Sequence, residues 1–583
     1  MGTLRIKLAG LAAAAIAACT STASVGNERL LSLLGPAQRP ADADTYSAFL
    51  IARYASLTND PRRALEEYAV ALENEPTNGE LAERAVFTAL VAGDFERAES
   101  YAGLAQDAKS ELSPLVRMTL AVEAIQSDDV DEAIYQLETG RFGPFNSMMV
   151  ANLRAWLAMA DGELETAHAI LVSTRVGDGA LDSVSLYMLG LIYLAAEQDD
   201  LALDVFETVW EAGPRLAVAA EAQARILANS DRRDDALEIL QTFRAQVGPN
   251  PSVDRLSSRL EDGLPVALNR PTLREGAALA LYAPAAALAA QTDSDLAGVY
   301  FAMALALDPD LDAARTLWAN TLDTAGRRDD ALRLLAGVKS DSPFYATARG
   351  QMAWAYRRQG RNDQAIETAA TALAAQPDRD LKVQLADLFT TLDRDGEADR
   401  LLSEIIDLDG VSAREDWRLF FARGAARERL GRWPEAERDL RFAMTLSPDN
   451  ARILNHLGYG LVDRGQNLEE GLRLISRAAD LDPRSGLILD SLGWAYFRLG
   501  DYGRAVNQLE RAVELEPGNA VINDHLGDAY WRTGRRTEAK FQWRRALALG
   551  LDGEAGQLAK SKMDVGLGGT TNLVGYPDTN GHP

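Results

Sequence analysis

The chain has 583 residues, 86 of them acidic and 60 basic, for a formal net charge of −26 and a pI of about 4.7. Such a surface repels phosphate backbones, which argues against a nucleic-acid partner, and it attracts basic partners instead. One cysteine leaves no internal disulfide and no thiolate metal site. The length exceeds one ordinary core and points to several domains or a repeat array. Ala and Leu abound and proline is sparse between residues 40 and 550, which favours helix throughout. Charge is dispersed as acidic and arginine residues on helix faces, so disorder is not implied.

At the N-terminus, Arg5 and Lys7 precede an uncharged, mostly apolar run from Leu8 to Ala18, too short to span a bilayer as a stable helix. The run ends Ile16-Ala17-Ala18-Cys19. It has the positive start, apolar core and small-residue exit of a removable signal, and it resembles the lipobox read by lipoprotein signal peptidase. The resemblance implies that residues 1–18 are removed and that Cys19 is acylated. Ordinary cleavage near Ala17 or Ala23, with Cys19 incidental, is the alternative. Thr20 follows the cysteine, which by the same resemblance implies the outer membrane, facing the periplasm. Several acyl chains on one cysteine suffice for stable anchoring. Residues 19–43 form a lipidated tether. Within it Leu30, Leu31, Leu33 and Leu34 suit a short apolar helix, for packing on the first repeat or for a partner.

The rest is organised by a repeat. Leu489, Leu492, Gly493 and Tyr496 fall on one helical stripe, Gly500 breaks it, and Ala505, Leu509 and Ala512 form a second stripe stopped by Pro517. This is a helix–turn–helix of 34 residues, with small residues at Gly493 and Ala505 for close helix approach. Gly424, Ala436 and Pro448 repeat the pattern. So do Gly458, Gly471 and Pro483, with one extra residue near Asn467, and Gly527, Tyr530, Gly534, Ala539 and Ala546 continue it. These residues resemble the tetratricopeptide repeat, and the resemblance implies an all-α, right-handed α-solenoid enclosing a concave channel.

The small residue that opens each second helix marks fourteen candidate units: Ala64, Ala98, Ala133, Ala167, Ala202, Ala236, Ala297, Ala331, Ala365, Ala398, Ala436, Gly471, Ala505 and Ala539. Most neighbouring markers are about 34 residues apart. The step from Ala398 to Ala436 is 38, which implies a longer loop around Asp409-Gly410. That from Ala236 to Ala297 is 61, and the added stretch holds Pro249, Pro251, Pro265 and Pro271. The expected organisation is a divergent N-terminal array over 44–246, a proline-containing joint over 247–275, a C-terminal array over 276–550, and a largely disordered tail over 551–583. Leu256 and Leu260 suit one extra short helix in the joint.

No catalytic constellation is present. There is no His-Glu-x-x-His, no Gly-rich phosphate loop before Lys-Ser or Lys-Thr, and no Gly-x-Ser-x-Gly. Glu66-Glu67 and Glu469-Glu470 are adjacent on helices and point apart. His456 and His525 occupy equivalent positions before Leu-Gly, where packing is the expectation and a metal pair the alternative. No cofactor and no metal is expected. In these repeats the concave surface is lined by the first helix, opposite the Leu-Gly-Tyr stripe. There the last units carry Asn455, Tyr459 and Asp463, then Asp490, Trp494 and Arg498, then Asp524, Asp528, Trp531 and Arg532. Aromatic and arginine residues are typical binding anchors, so these ten are the candidate protein-binding groove. Burial of Trp494 and Trp531 between repeats is the alternative.

Ile16 to Cys19, with the blocks Leu454 to Tyr459, Leu489 to Tyr496 and His525 to Trp531, is similar to the outer-membrane tetratricopeptide lipoproteins that bind and activate a carboxyl-terminal processing protease. That resemblance implies a non-catalytic envelope scaffold that brings cell-wall hydrolases to the protease. A lipoprotein scaffold of a polysaccharide or pilus secretion machine is the alternative binding role. An enzyme hidden in the stretch Gly248 to Arg274 is the alternative of another class.

Overall fold

The computed structural model describes residues 41–109, 111–174, 179–212, 215–289, 294–409 and 417–568. The signal at 1–18, Cys19, the tether as far as residue 40, the Asp409-Gly410 loop beyond Asp409 and the tail beyond residue 568 lie outside the described residues. Among those described there are thirty α-helices and no strand. None of these helices is long and apolar enough to cross a membrane.

The helices run in pairs, as the repeat demands. Every one of the fourteen marker residues is the fourth residue of a second helix, from Ala64 in Pro61–Asn74 to Ala539 in Arg536–Ala548. All are buried. The reason is steric. A Cβ added to Gly493 would lie 2.5 Å from Leu509 Cγ, and one on Gly471 would lie 2.8 Å from Gly458 O. At these points the two helices touch backbone to side chain, leaving no room for a larger residue. Within pairs, Gly500 and Gly534 end the first helix at φ 81° and 83°, a conformation that glycine adopts without a Cβ penalty. The extra residue near Asn467 is absorbed by a left-handed turn, with Asn467 at φ 45°. Asp501 and Ser485 then cap the helices that follow them, accepting from Arg504 N at 3.0 Å and from Ile488 N at 3.3 Å.

Two compact units divide between Phe344 and Tyr345. The first begins with six pairs, from Ala41–Leu57 to Arg233–Val247. The extra helix expected from Leu256 and Leu260 is Pro251–Glu261, and both leucines are buried. The proline-bearing stretch is held down rather than free. Arg225 and Asn229 donate to the carbonyls of Ala267 and Val266 at 2.9 and 3.1 Å, and Arg270 forms a bidentate pair with Asp199.

Here the structure differs from a joint followed by a second array at residue 276. The helices Leu273–Ala289 and Ser294–Leu307 turn back into the first unit. The former packs on the first helices Pro114–Gln126, Pro144–Ala160 and Gly179–Ala195, and the latter on Gly79–Ala92 and Pro114–Gln126. Gly276 sits so close to the buried Trp156 that a Cβ would meet the indole at 2.3 Å. Gln126 donates to Ala306 O at 2.6 Å, and Tyr300 bonds Asn146. The physical cause is composition. These helices are apolar on every side, with Ala297 and Val299 to Ala304 consecutively buried around Gly298, and such helices belong in an interior. The following pair then closes on the first two pairs. Arg62 pairs with Asp330 at 2.9 Å, and the buried Arg327 donates to Val91 O at 3.0 Å.

The second unit contains six pairs from Tyr345–Arg358 to Arg536–Ala548. A further helix, Gly553–Val565, packs on the last of them. Residues 551–568 are therefore part of the fold and not a disordered tail. Ala555, Ala559 and Lys562 bury one side of that helix, which suffices to hold a short segment against the array.

Candidate partner-binding face

In the first unit the inner, first-helix side is filled by the helices Leu273–Ala289 and Ser294–Leu307 of the same chain. In the second unit the first helices carry the ten candidate groove residues. Five of these ten are buried, which corrects their assignment to an open groove: Asp463 at 8% exposure, Asp490 at 7%, Trp494 at 1%, and Asp524 and Asp528 at 0%. The cause is the stacking of repeats. First helices of successive pairs pack on each other, Ala451–Asp463 on Gly486–Arg498 and that on Ala520–Arg532. The side opposite the Leu-Gly-Tyr stripe is thus largely a seam.

That seam is polar and is cross-linked by ring stacking, hydrogen bonds and ion pairs. Trp494 stacks between Phe497, at 5.0 Å between ring centres, and His525 of the next pair, at 4.3 Å. His525 Nδ1 lies 2.9 Å from Asp490 Oδ1. Burial pushes the imidazole pKa down, but Asp490, Asp524 and Asp528 outweigh it and hold the pKa above its ordinary value. Arg498 donates to Asp463 O at 2.7 Å. Burial also raises the Asp463 carboxyl, with Arg498 opposing. Lys562 of the last helix places its ammonium 2.8 Å from both Asp524 and Asp528, and Trp543 donates to the other oxygen of Asp528 at 2.8 Å. Even so, burial and the neighbouring Asp524 keep the Asp528 pKa raised.

The two equivalent histidines are each engaged by a carboxylate of the preceding pair, His456 by Glu428 at 2.6 Å and His525 by Asp490. Among the described residues no group of three or more His, Cys, Asp or Glu is gathered as a metal site.

Asn455, Tyr459, Arg498, Trp531 and Arg532 remain half-buried at the surface of these helices. Further residues of the same face went unnoticed in the sequence. Arg452 is exposed, with its guanidinium 4.9 Å from the Phe421 ring, and Arg418 lies 5.4 Å from the Trp417 ring. Arg418 and Arg452 share one repeat position, and that register was the signal that could have found them. Asp387 is also exposed. Crowding by surrounding protein raises its pKa, and Arg452, two pairs further along, favours its charged form. The face is a mixed one, with stacked arginines, aromatic rings and carboxylates. It offers cation–π and charge-assisted contacts.

Family models agree with this architecture over part of the chain. The TPR repeat model matches residues 493–534, and the tetratricopeptide repeat model matches residues 316–380 and 351–398. A TPR repeat-containing protein of Pseudomonas aeruginosa is 34% identical over 152 residues, 26% of this chain and 25% of that protein. The match thus spans about a quarter of the length of this curated relative. Among solved structures, a tetratricopeptide repeat protein from Parabacteroides merdae is 17% identical, covering 43% of this chain and 96% of that one, with a TM-score of 0.36. The Cut9–Hcn1 hetero-tetramer of the APC/C is 15% identical, covering 90% and 96%, with a TM-score of 0.37. With its paired helices and matched repeats, the chain is a tetratricopeptide-repeat α-solenoid. Repeats of this kind generally mediate protein–protein contacts, which makes a protein-binding scaffold the class of molecule that the fold defines.

Proposed function

We propose that this solenoid is an adaptor, anchored in the outer membrane through acylated Cys19, that brings basic cell-wall hydrolases to a carboxyl-terminal processing protease in the periplasm. The observation that carries the adaptor reading is the contrast between the two units. The inner side of the first is occupied by its own helices, whereas the second keeps Asp387, Arg418, Arg452 and Tyr459 at the surface of its first helices. The net charge of −26 suits basic clients. The lipobox and the repeat blocks that resemble protease-activating lipoproteins support the choice of partners. A tethered scaffold needs no catalytic residue of its own, because holding enzyme and substrate together raises their effective concentration.

The test mixes residues 20–583 with the processing protease and a candidate hydrolase from the same genome and follows loss of the hydrolase. Degradation is expected to accelerate with the solenoid, and the acceleration to weaken between about 0.05 and 0.5 M salt. Arg452→Ala and Tyr459→Ala should each weaken partner capture by about tenfold or more. Equal rates with and without the solenoid, with no complex on size exclusion, would overturn the proposed partners. Cys19→Ser should leave the precursor unprocessed and absent from the outer-membrane fraction; unchanged mass and fractionation would remove the anchor.

A further inference from the structure

The last first-helix, Ala520–Arg532, is covered by the chain's own C-terminal segment at each of its four candidate groove residues. Lys562 sits between Asp524 and Asp528, a Cβ on Gly566 would lie 2.0 Å from the Trp531 ring, and Arg532 Nη2 is 3.4 Å from Gly568 O. The segment behaves towards this helix as a ligand does.

Three features say that the contact is built for recognition. First, the chain holds only seven lysines and answers most carboxylates with arginine. It places one of those lysines here, where its compact ammonium lies 2.8 Å from each of two buried carboxylates. Second, a buried charged triad adds little net stability over an apolar contact of equal volume, but it rejects any helix that lacks the cation. Third, the segment hangs on a glycine-flanked connection. Gly550 and Gly553 have φ 98° and 58°, and the segment ends in Gly566 at φ 77°. The helix itself buries only small apolar residues, Ala555, Gly556 and Ala559, beside Lys562, while Leu551 is buried at its start and Met563 and Leu567 pack on the core of the array.

We propose that Gly553–Gly568 is a releasable strap, and that the site beneath it, formed by Asp524, Asp528 and Trp531, receives a helix of a partner protein that presents one lysine among small residues. The partner displaces the strap by reproducing its ammonium, and the negative charge of the chain favours such a basic helix. The inference extends the adaptor reading along the same face, and its test involves neither protease nor hydrolase.

The probe is a fluorescein-labelled peptide of residues 551–568, added to the chain of residues 20–583. Wild-type chain, with its strap in place, should bind the peptide weakly. The Lys562→Met chain, its strap loosened, should bind it about tenfold or more tighter. A peptide carrying the same Lys562→Met change should bind about tenfold or more weaker than the native one, and Asp524→Asn with Asp528→Asn in the Lys562→Met chain should remove the preference. Equal binding of the two peptides, or no gain in the Lys562→Met chain, would overturn the proposal. Hydrogen exchange on the unmodified chain gives a readout independent of any variant's folding. Amides of Gly553–Val565 should exchange together and about tenfold or more faster than those of 520–548. Exchange at the same rate would show that the strap does not open and would overturn it as well.

Discussion

Trp494 shows why chemistry alone misplaces a residue. Tryptophan beside arginine and aspartate describes a binding hot spot, and the same residues describe a polar seam between repeats. The stack of Phe497, Trp494 and His525 decides for the seam. Trp494→Ala should therefore cost about 3–5 kcal/mol of stability, seen as a lower denaturant midpoint, and not act only on partner binding. An unchanged midpoint with lost binding would restore the groove assignment. His525 adds a pH dependence. Its pKa is raised, so the stability from its positive charge is complete below its unfolded value of about 6.5 and is lost as pH rises through the folded value. Asp528 acts in the same direction, because burial favours its protonated form in the native state. The second unit should thus have a higher urea midpoint near pH 6 than near pH 8, and His525→Phe should flatten the difference. A wild-type midpoint that rises towards pH 8 would contradict these shifts.

At the level of elements, what could be read was what the repeat dictates. The small residue at the fourth position of each second helix is a packing requirement, so the markers landed on real helices even in units whose Gly and Tyr positions drift. Gly493→Leu should overpack the crossing at Leu509 and cost about 1–3 kcal/mol, measured by chemical denaturation. What could not be read depended on neighbours distant in sequence. Helices 273–289 and 294–307 look like one more degenerate pair, and only contacts with residues far upstream make them the filling of the first unit. Gly553–Val565 reads as a tail because glycines flank it and its buried side is made of small residues and one lysine. Periodicity reports that a helix has a buried side; it does not report which helix buries it.

On the scale of the whole molecule, the two units differ in kind. In the second, each pair touches chiefly its neighbours, so unfolding should spread along it and depart from two-state behaviour. Calorimetry of this chain should give a total enthalpy larger than the van't Hoff enthalpy; equality would mean that all repeats unfold as one. In the first unit the last pair grips the first two, through contacts such as Arg62 with Asp330 and Arg327 with Val91, and that part should melt as a block. Its stability is then not a sum over repeats, and Gly276→Leu, which would drive a side chain into Trp156, should destabilise the whole block by more than the about 1–3 kcal/mol usual for overpacking.

That closure also has a consequence for how the protein comes into being. Arg327 and Val91 lie 236 residues apart, and the apolar helices 273–307 arrive late in synthesis. Until they do, six helix pairs stand with their inner side uncovered. Ordinary repeat arrays fold as they emerge, with contacts formed locally; this one must wait for a distant segment, and long-range closure is slow and prone to aggregation. A chain ended at residue 272 should therefore form helices and yet associate, while one ended at residue 344 should stay dispersed. The stretch that fills the first unit is thus a timing element as well as a core, since it sets the moment at which the nascent solenoid no longer needs protection.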